Sequence, residues 1–333
     1  MVNCAVIGHI LQPRPNRIAS ARGLGELQQR RYVQTLLQGE LGLAKRVNTV
    51  HTVEDLREIV ADWRAEGHLV GLVATMGALH EGHTSLIGIA LEHASRVIVS
   101  IFVNPTQFAP NEDFAAYPRD TAGDNLKVAK SGAHLIYAPN NEEMYASDFS
   151  TQIFVGGVSD GLCGAARPHF FSGVATVVAK LFLQAMPDIT VFGEKDYQQL
   201  LVVKRMVRDL DLPIEIIHGP IVRESDGLAL SSRNAYLSEA ERAVAPLLNR
   251  VISDIASDVG EGRAVAESLE AGRVRLDSTG FLVDYLELRG AENLAPITDI
   301  AERPARVFVA AHLGSTRLID NVAVNPSTEQ RRT

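Results

Sequence analysis

Short apolar runs alternate along this chain with amphipathic stretches of helical period, and that alternation restricts the possible folds more than any other feature. Val53, Leu56, Ile59, Val60 and Trp63 recur at spacings of three and four, which predicts a helix, and the run Leu69 to Ala74 behind it reads as a buried strand. A helix from Ser85 to His93, a strand from Arg96 to Val103, a helix over Thr121 to Lys130 and a strand from His134 to Tyr137 continue the order. Helix Val174 to Gln184, strand Ile189 to Phe192, helix Gln198 to Leu210 and strand Ile214 to Ile217 complete it. Strands that are apolar on both sides, each followed by a helix, belong in a parallel sheet covered on both faces. The fold class expected is therefore α/β, with a doubly wound, Rossmann-like parallel-sheet domain.

After Pro220 the pattern changes to two helices, Glu239 to Ala256 and Ala264 to Leu276, then strands Phe281 to Leu288, Val307 to Leu313 and Arg317 to Val322. This reads as a smaller α+β C-terminal lid domain. The expected division is an extension over 1–46, the parallel-sheet domain over 47–221, the lid over 222–325 and a disordered polar tail over 326–333. The extension is rich in Arg, with Glu26 and Glu40 its only acids, which fits a targeting segment, an upstream start or a floppy tail.

Charge narrows the partners. A net charge of -8 argues against nucleic acid, whose phosphates are gripped by clustered Lys and Arg. No apolar run approaches the roughly 20 residues of a membrane-spanning helix, so no membrane partner is expected. Cys4 and Cys163 are spaced neither as a metal knuckle nor as a disulfide framework. A cytoplasmic enzyme acting on small molecules is the expectation.

The chemistry concentrates in Thr75-Met76-Gly77-Ala78-Leu79-His80-Glu81-Gly82-His83, between the first core strand and a helix. Ligands of open parallel sheets bind at the carboxyl ends of strands, where a helix start offers free N–H groups to phosphate. Gly77 and Gly82 allow the backbone to come close, and imidazoles at His80 and His83 can donate hydrogen bonds to a triphosphate and to the charge that grows as pyrophosphate leaves. The plainer alternative makes them a turn histidine and a helix-cap neighbour. Zinc fits less well, because the second histidine only opens the helix and no third ligand is evident. The strand, glycine turn and helix order resembles the nucleotide-binding arrangement of the HIGH-type nucleotidylyltransferase superfamily.

Further blocks follow in order: Phe102-Val103-Asn104-Pro105-Thr106-Gln107-Phe108, Tyr117-Pro118-Arg119, Phe192-Gly193-Glu194-Lys195-Asp196-Tyr197-Gln198-Gln199, Val222-Arg223-Glu224, and Asp226 to Asn234 around Leu230-Ser231-Ser232-Arg233. Asn104 and Gln107 follow a strand end, where neutral amides can hydrogen-bond a small hydroxy acid. Lys195 in its glycine turn suits a phosphate. Ser231 to Arg233 supply hydroxyls, amides and a guanidinium, or simply a helix cap.

Together these blocks resemble the pantoate-beta-alanine ligase family from about Val47 to Val324. The resemblance implies an ATP-dependent ligase that joins pantoate to beta-alanine through a pantoyl adenylate, in pantothenate and coenzyme A biosynthesis. It implies ATP contacts at Met76, Gly77, His80, His83, Gly193, Lys195, Asp196, Val222, Leu230, Ser231, Ser232 and Arg233, with His83, His80, Lys195 and Arg233 catalytic. Gln107 and Gln199 are implied for pantoate, and a homodimer as the assembly; Asn104 joins the pantoate and beta-alanine site by its place at the strand end. Mg2+ is expected from the chemistry of ATP, with Asp124 as its candidate ligand, although the acidic helix around Asp120 and Asp124 only partly matches the family's metal site. The alternative is a nucleotidylyltransferase of the same fold, which attaches a nucleotide and stops. Three positions depart from the family pattern: Ala74 stands where proline is usual, Cys163 where glutamate is common, and Phe170 where histidine is common.

Overall fold

The structure, a computed structural model, describes residues 47–109, 114–298 and 304–325. The expected extension over 1–46 and the expected tail over 326–333 lie outside the described residues. Among the described residues, β1 (Asn48–Val50), β2 (Val70–Thr75), β3 (Arg96–Ile101), β4 (Leu135–Tyr137), β5 (Ile189–Gly193) and β6 (Glu215–Gly219) form a six-stranded sheet in the order β1-β4-β3-β2-β5-β6. Every pairing in it is parallel.

Side chains alternate across a strand, so Leu72 and Val73 leave β2 on opposite faces, and both faces are dry. Leu72, Ile98 and Leu135 pack under α1 (Val53–Ala65), α6 (Phe170–Ala185) and α7 (Tyr197–Asp209). Val73, Val97, Val99 and Ile136 pack under α2 (Glu81–His93) and α3 (Thr121–Ser131). The doubly wound expectation holds, with one strand added. β1 is only three residues long and carries too little pattern to read; its backbone pairs with β4 at the sheet edge. The chain lays β3 and β4 to one side of β2, then crosses to place β5 and β6 on the other. Strand order therefore reverses between β2 and β5, and a crevice opens at their carboxyl ends.

Past β6, α8 (Glu239–Val244) and α9 (Leu247–Gly260) replace the single helix expected over 239–256. Pro246, which lacks an N–H, breaks it. With α10 (Val265–Asp277), α9 covers an antiparallel sheet of β7 (Phe281–Gly290), β8 (Ala305–Leu313) and β9 (Thr316–Val324), ordered β7-β8-β9. Tyr285 and Phe308 of this sheet are buried in the same cluster as Phe192 at the end of β5, so the second sheet rests beside the crevice. Short helices α4 (Asn141–Met144) and α5 (Leu162–Ala166) lie in the connection between β4 and α6.

Candidate active site

Beyond β2 the chain turns sharply into α2. Gly77 and Ala78 both stand in the left-handed region, with φ of 82° and 50°. At Gly77 a Cβ would come 3.1 Å from an Asp124 oxygen, so space and backbone conformation both call for glycine. Ala78 tolerates the strained conformation because the Asp124 carboxylate accepts its N–H at 2.9 Å and that of Leu79 at 2.7 Å. Asp124 is only 1% exposed. Both oxygens of this expected metal ligand serve the turn, and among the described residues no group of three or more His, Cys, Asp or Glu could hold a metal ion.

His80 is the N-cap of α2, as the plainer alternative would have it. The Gly82 N–H donates to His80 Nδ1 at 3.2 Å, and the His80 N–H donates to His83 Nδ1 at 3.2 Å. A backbone amide can only donate, so each Nδ1 is unprotonated and each neutral ring carries its hydrogen on Nε2. The cap uses one nitrogen and leaves the other for a ligand, so capping and binding are compatible. Helix α2 consequently begins at Glu81, four residues ahead of the expected Ser85. The two rings lie 4.1 Å apart between centroids. Burial, reinforced by the Lys195 ammonium, lowers the His80 pKa to about 4. Burial, then His80 and Lys195, lowers that of His83 to about 3. At neutral pH the pair presents two uncharged Nε2–H donors.

Lys195 follows β5 in the tight turn Glu194–Asp196, with its Nζ 3.9 Å from the Asp196 carboxylate. Opposite, the loop 222–230 folds on itself: the Leu230 N–H donates to the Val222 carbonyl at 3.0 Å. Arg242 pins this loop through Asp226 and Glu224, each at 2.6 Å, and its hydrogen bond holds the Asp226 carboxyl below the usual range. Ser231 accepts the Arg233 N–H at 3.2 Å and caps the turn Ser232–Tyr236.

These segments enclose a cavity of about 640 Å³, within the range of small-molecule sites. Every residue expected at the site lines it except Gly77, within the turn, and Asp124, whose carboxylate braces that turn. Lys195, Arg167, Arg233 and Arg317 all reach it, so the cavity gathers cations in a chain of net charge -8. Such focusing draws anions.

Asn104 touches the cavity but its polar atoms serve the scaffold. Its Oδ1 accepts from Tyr145 Oη at 2.9 Å and Thr106 Oγ1 at 3.0 Å, and its Nδ2 donates to the Gly173 carbonyl at 3.2 Å. A Cβ at Gly173 would come 2.5 Å from the Thr106 carbonyl, so α6 packs directly on the turn Pro105–Gln107 that presents Gln107. Two residues near that turn had no role assigned from sequence. Arg167 donates to the Gln107 carbonyl at 2.9 Å while its guanidinium lies 3.9 Å from the Phe170 ring centre. Tyr117 Oη is 3.4 Å from Ser232 Oγ, and the Arg233 guanidinium is 5.9 Å from the Tyr117 ring centre. The departures are accommodated: Phe170 supplies a platform for Arg167, Cys163 Sγ lies 3.1 Å from Tyr285 Oη, and Ala74 pairs with Ser100 inside the sheet.

The profile of the Pantoate-beta-alanine ligase family matches residues 48–323. A pantothenate synthetase of Rhodospirillum rubrum is 59% identical over 274 residues, 82% of this chain and 97% of that protein. One from Caulobacter vibrioides is 55% identical over 278 residues, 83% of this chain and 98% of that protein. The crystal structure of pantothenate synthetase from Thermus thermophilus superposes with a TM-score of 0.79 at 46% identity, covering 84% of this chain and 100% of that one. A pantoate-beta-alanine ligase from Francisella tularensis, solved with beta-gamma ATP and beta-alanine, gives a TM-score of 0.70 at 32% identity, covering 83% and 97%. A match that spans both sheets and every block of the cavity places the chain in the pantoate-beta-alanine ligase family.

Proposed function

We infer that this chain condenses (R)-pantoate with beta-alanine to pantothenate, converting ATP to AMP and pyrophosphate through a pantoyl adenylate. The observation that carries this reading is the pair of Nε2–H donors on His80 and His83, with Lys195 close enough to depress both rings, at the reversal point of a parallel sheet.

In the first step a pantoate carboxylate oxygen attacks the α-phosphorus. The bond from that phosphorus to the bridging oxygen breaks, and pyrophosphate leaves. Negative charge grows on the leaving group, where His83 and His80 donate neutral hydrogen bonds and Lys195, Ser232 and Arg233 hold the phosphates. Fixed donors in a dry site stabilise that growing charge without reorganising. Met76, Gly77, Gly193, Asp196 and the Val222 and Leu230 to Ser231 backbone shape the rest of the nucleotide site. Gln107 and Gln199 hold pantoate, with Asn104 setting the turn that carries Gln107. In the second step the amine of beta-alanine attacks the acyl carbon and AMP departs.

Residues 222–325 act as the lid domain and keep water from the mixed anhydride. Mg2+ is proposed as an ion brought in by the triphosphate and its waters, because the described carboxylates supply no cage for it. A cytoplasmic homodimer is the proposed working form.

The test is pantoate-dependent exchange of labelled pyrophosphate into ATP without beta-alanine. Exchange is expected, with free AMP accumulating only once beta-alanine is added. Exchange that strictly requires beta-alanine overturns the two-step scheme, and a stable nucleotide-linked product favours a nucleotidylyltransferase.

A further inference from the structure

The turn that carries Lys195 is held from the antiparallel sheet. Asn321, in β9, donates both hydrogens of its side-chain amide to that turn, to the Glu194 carbonyl at 2.9 Å and the Lys195 carbonyl at 3.1 Å. Its Oδ1 accepts from Arg306 Nε at 2.8 Å. Arg306, on the neighbouring strand β8, reaches on to the Glu194 carboxylate at 3.2 Å and lies 4.1 Å over the Tyr197 ring. The turn has no side-chain cap of its own.

This arrangement is costly unless it is fully satisfied. Asn321 is 2% exposed and Arg306 9%, in strands that also bury Val307, Phe308, Val309 and Leu318. A buried amide or guanidinium destabilises a protein unless every donor finds a partner, and apolar side chains of similar volume would join two sheets at least as well. The partners found here belong almost entirely to residues 194–197. Next along β9, Asp320 takes Arg223 at 2.6 and 2.9 Å and Asn249 at 3.2 Å. The same stretch of β9 thus fastens both loops that flank the cavity.

We propose that Asn321, supported by Arg306, is a positioning residue for Lys195, setting the height of its turn and so the reach of its ammonium toward the triphosphate. The antiparallel sheet then takes part in adenylation beyond covering the cavity. The proposal rests on the reading that Lys195 acts on the nucleotide.

A double-mutant cycle in the full chain tests it, scored by kcat for pantoate-dependent pyrophosphate exchange per folded molecule, with near-ultraviolet circular dichroism reporting the folded fraction. A misplacement near 1 Å in such a site costs up to about a hundredfold, so Asn321→Ala is expected to lower kcat by about ten- to a hundredfold, leaving the pantoate KM within about twofold. In the Lys195→Ala background the further loss is expected to stay below about threefold, because coupled residues are not additive. Arg306→Met, which keeps the aliphatic stem, should follow the same cycle with a smaller loss, and it carries the test if Asn321→Ala does not fold. A full repeat of the loss in the Lys195→Ala background, or parental kcat in Asn321→Ala, overturns the proposal. Parental exchange in Lys195→Ala alone overturns the nucleotide role of Lys195 and this proposal with it.

Discussion

His80 and His83 show how much chemistry one nitrogen can decide. Each ring gives Nδ1 to a backbone amide, and this forces the hydrogen onto Nε2. In the ligand-free protein at pH 6, nitrogen-15 spectra are expected to show both rings neutral with protonated Nε2; an imidazolium or an Nδ1–H form would contradict the geometry. The same depression links to stability. Both folded pKa values lie below the ordinary 6.5, so the unfolded chain binds protons first, and the contribution is present above about 6.5 and lost as pH falls toward about 4 and 3. Denaturation series should therefore show that His83→Gln loses less stability than the parent between pH 6.5 and 4. The spacing of the two histidines was legible in the sequence. Their tautomer was not, because it depends on where the Gly82 and His80 amides point.

At the scale of elements, most boundaries fell where hydrophobic period put them; α6 begins at Phe170 rather than the expected Val174, and two other exceptions have local causes. The start of α2 moved because His80 caps it, and the helix after Ser238 split because Pro246 offers no N–H. Asp124 is the larger lesson. An acid on an amphipathic helix beside an expected nucleotide site reads as a metal ligand, yet its carboxylate holds the turn between β2 and α2. Asp124→Asn replaces one acceptor oxygen by an NH2 facing a buried donor, and should destabilise the fold by about 1–3 kcal/mol in urea denaturation. Its half-maximal Mg2+ concentration in the exchange assay should remain that of the parent; a strong rise would show Asp124 to be a metal ligand.

For the whole molecule, the family match begins at residue 48, and among the described residues the cavity is lined from Ala74 onward. A chain lacking residues 1–46 is accordingly expected to exchange pyrophosphate at the parental rate. A folded but inactive truncation would show that the extension completes the site. The cavity itself arises from topology: α2 follows β2, the Lys195 turn follows β5, and only the reversal of strand order makes these two ends neighbours. The antiparallel sheet then closes the arrangement through Arg223, Arg306 and Asn321.

By itself the sequence determined the alternation of buried strands and amphipathic helices, because apolar period is a local property. It also determined the identity of the His80, Gln107, Lys195 and Arg233 blocks, because each is a short contiguous pattern. Only the tertiary structure decided what distant partners do to those groups. Asp124 is bound to a turn far back in the chain, Arg167 stacks on Phe170 while holding Gln107, and Asn321 supports Lys195 from another sheet. Such pairings are set by packing in three dimensions, and a buried polar side chain carries no sign in the sequence of which carbonyl will satisfy it.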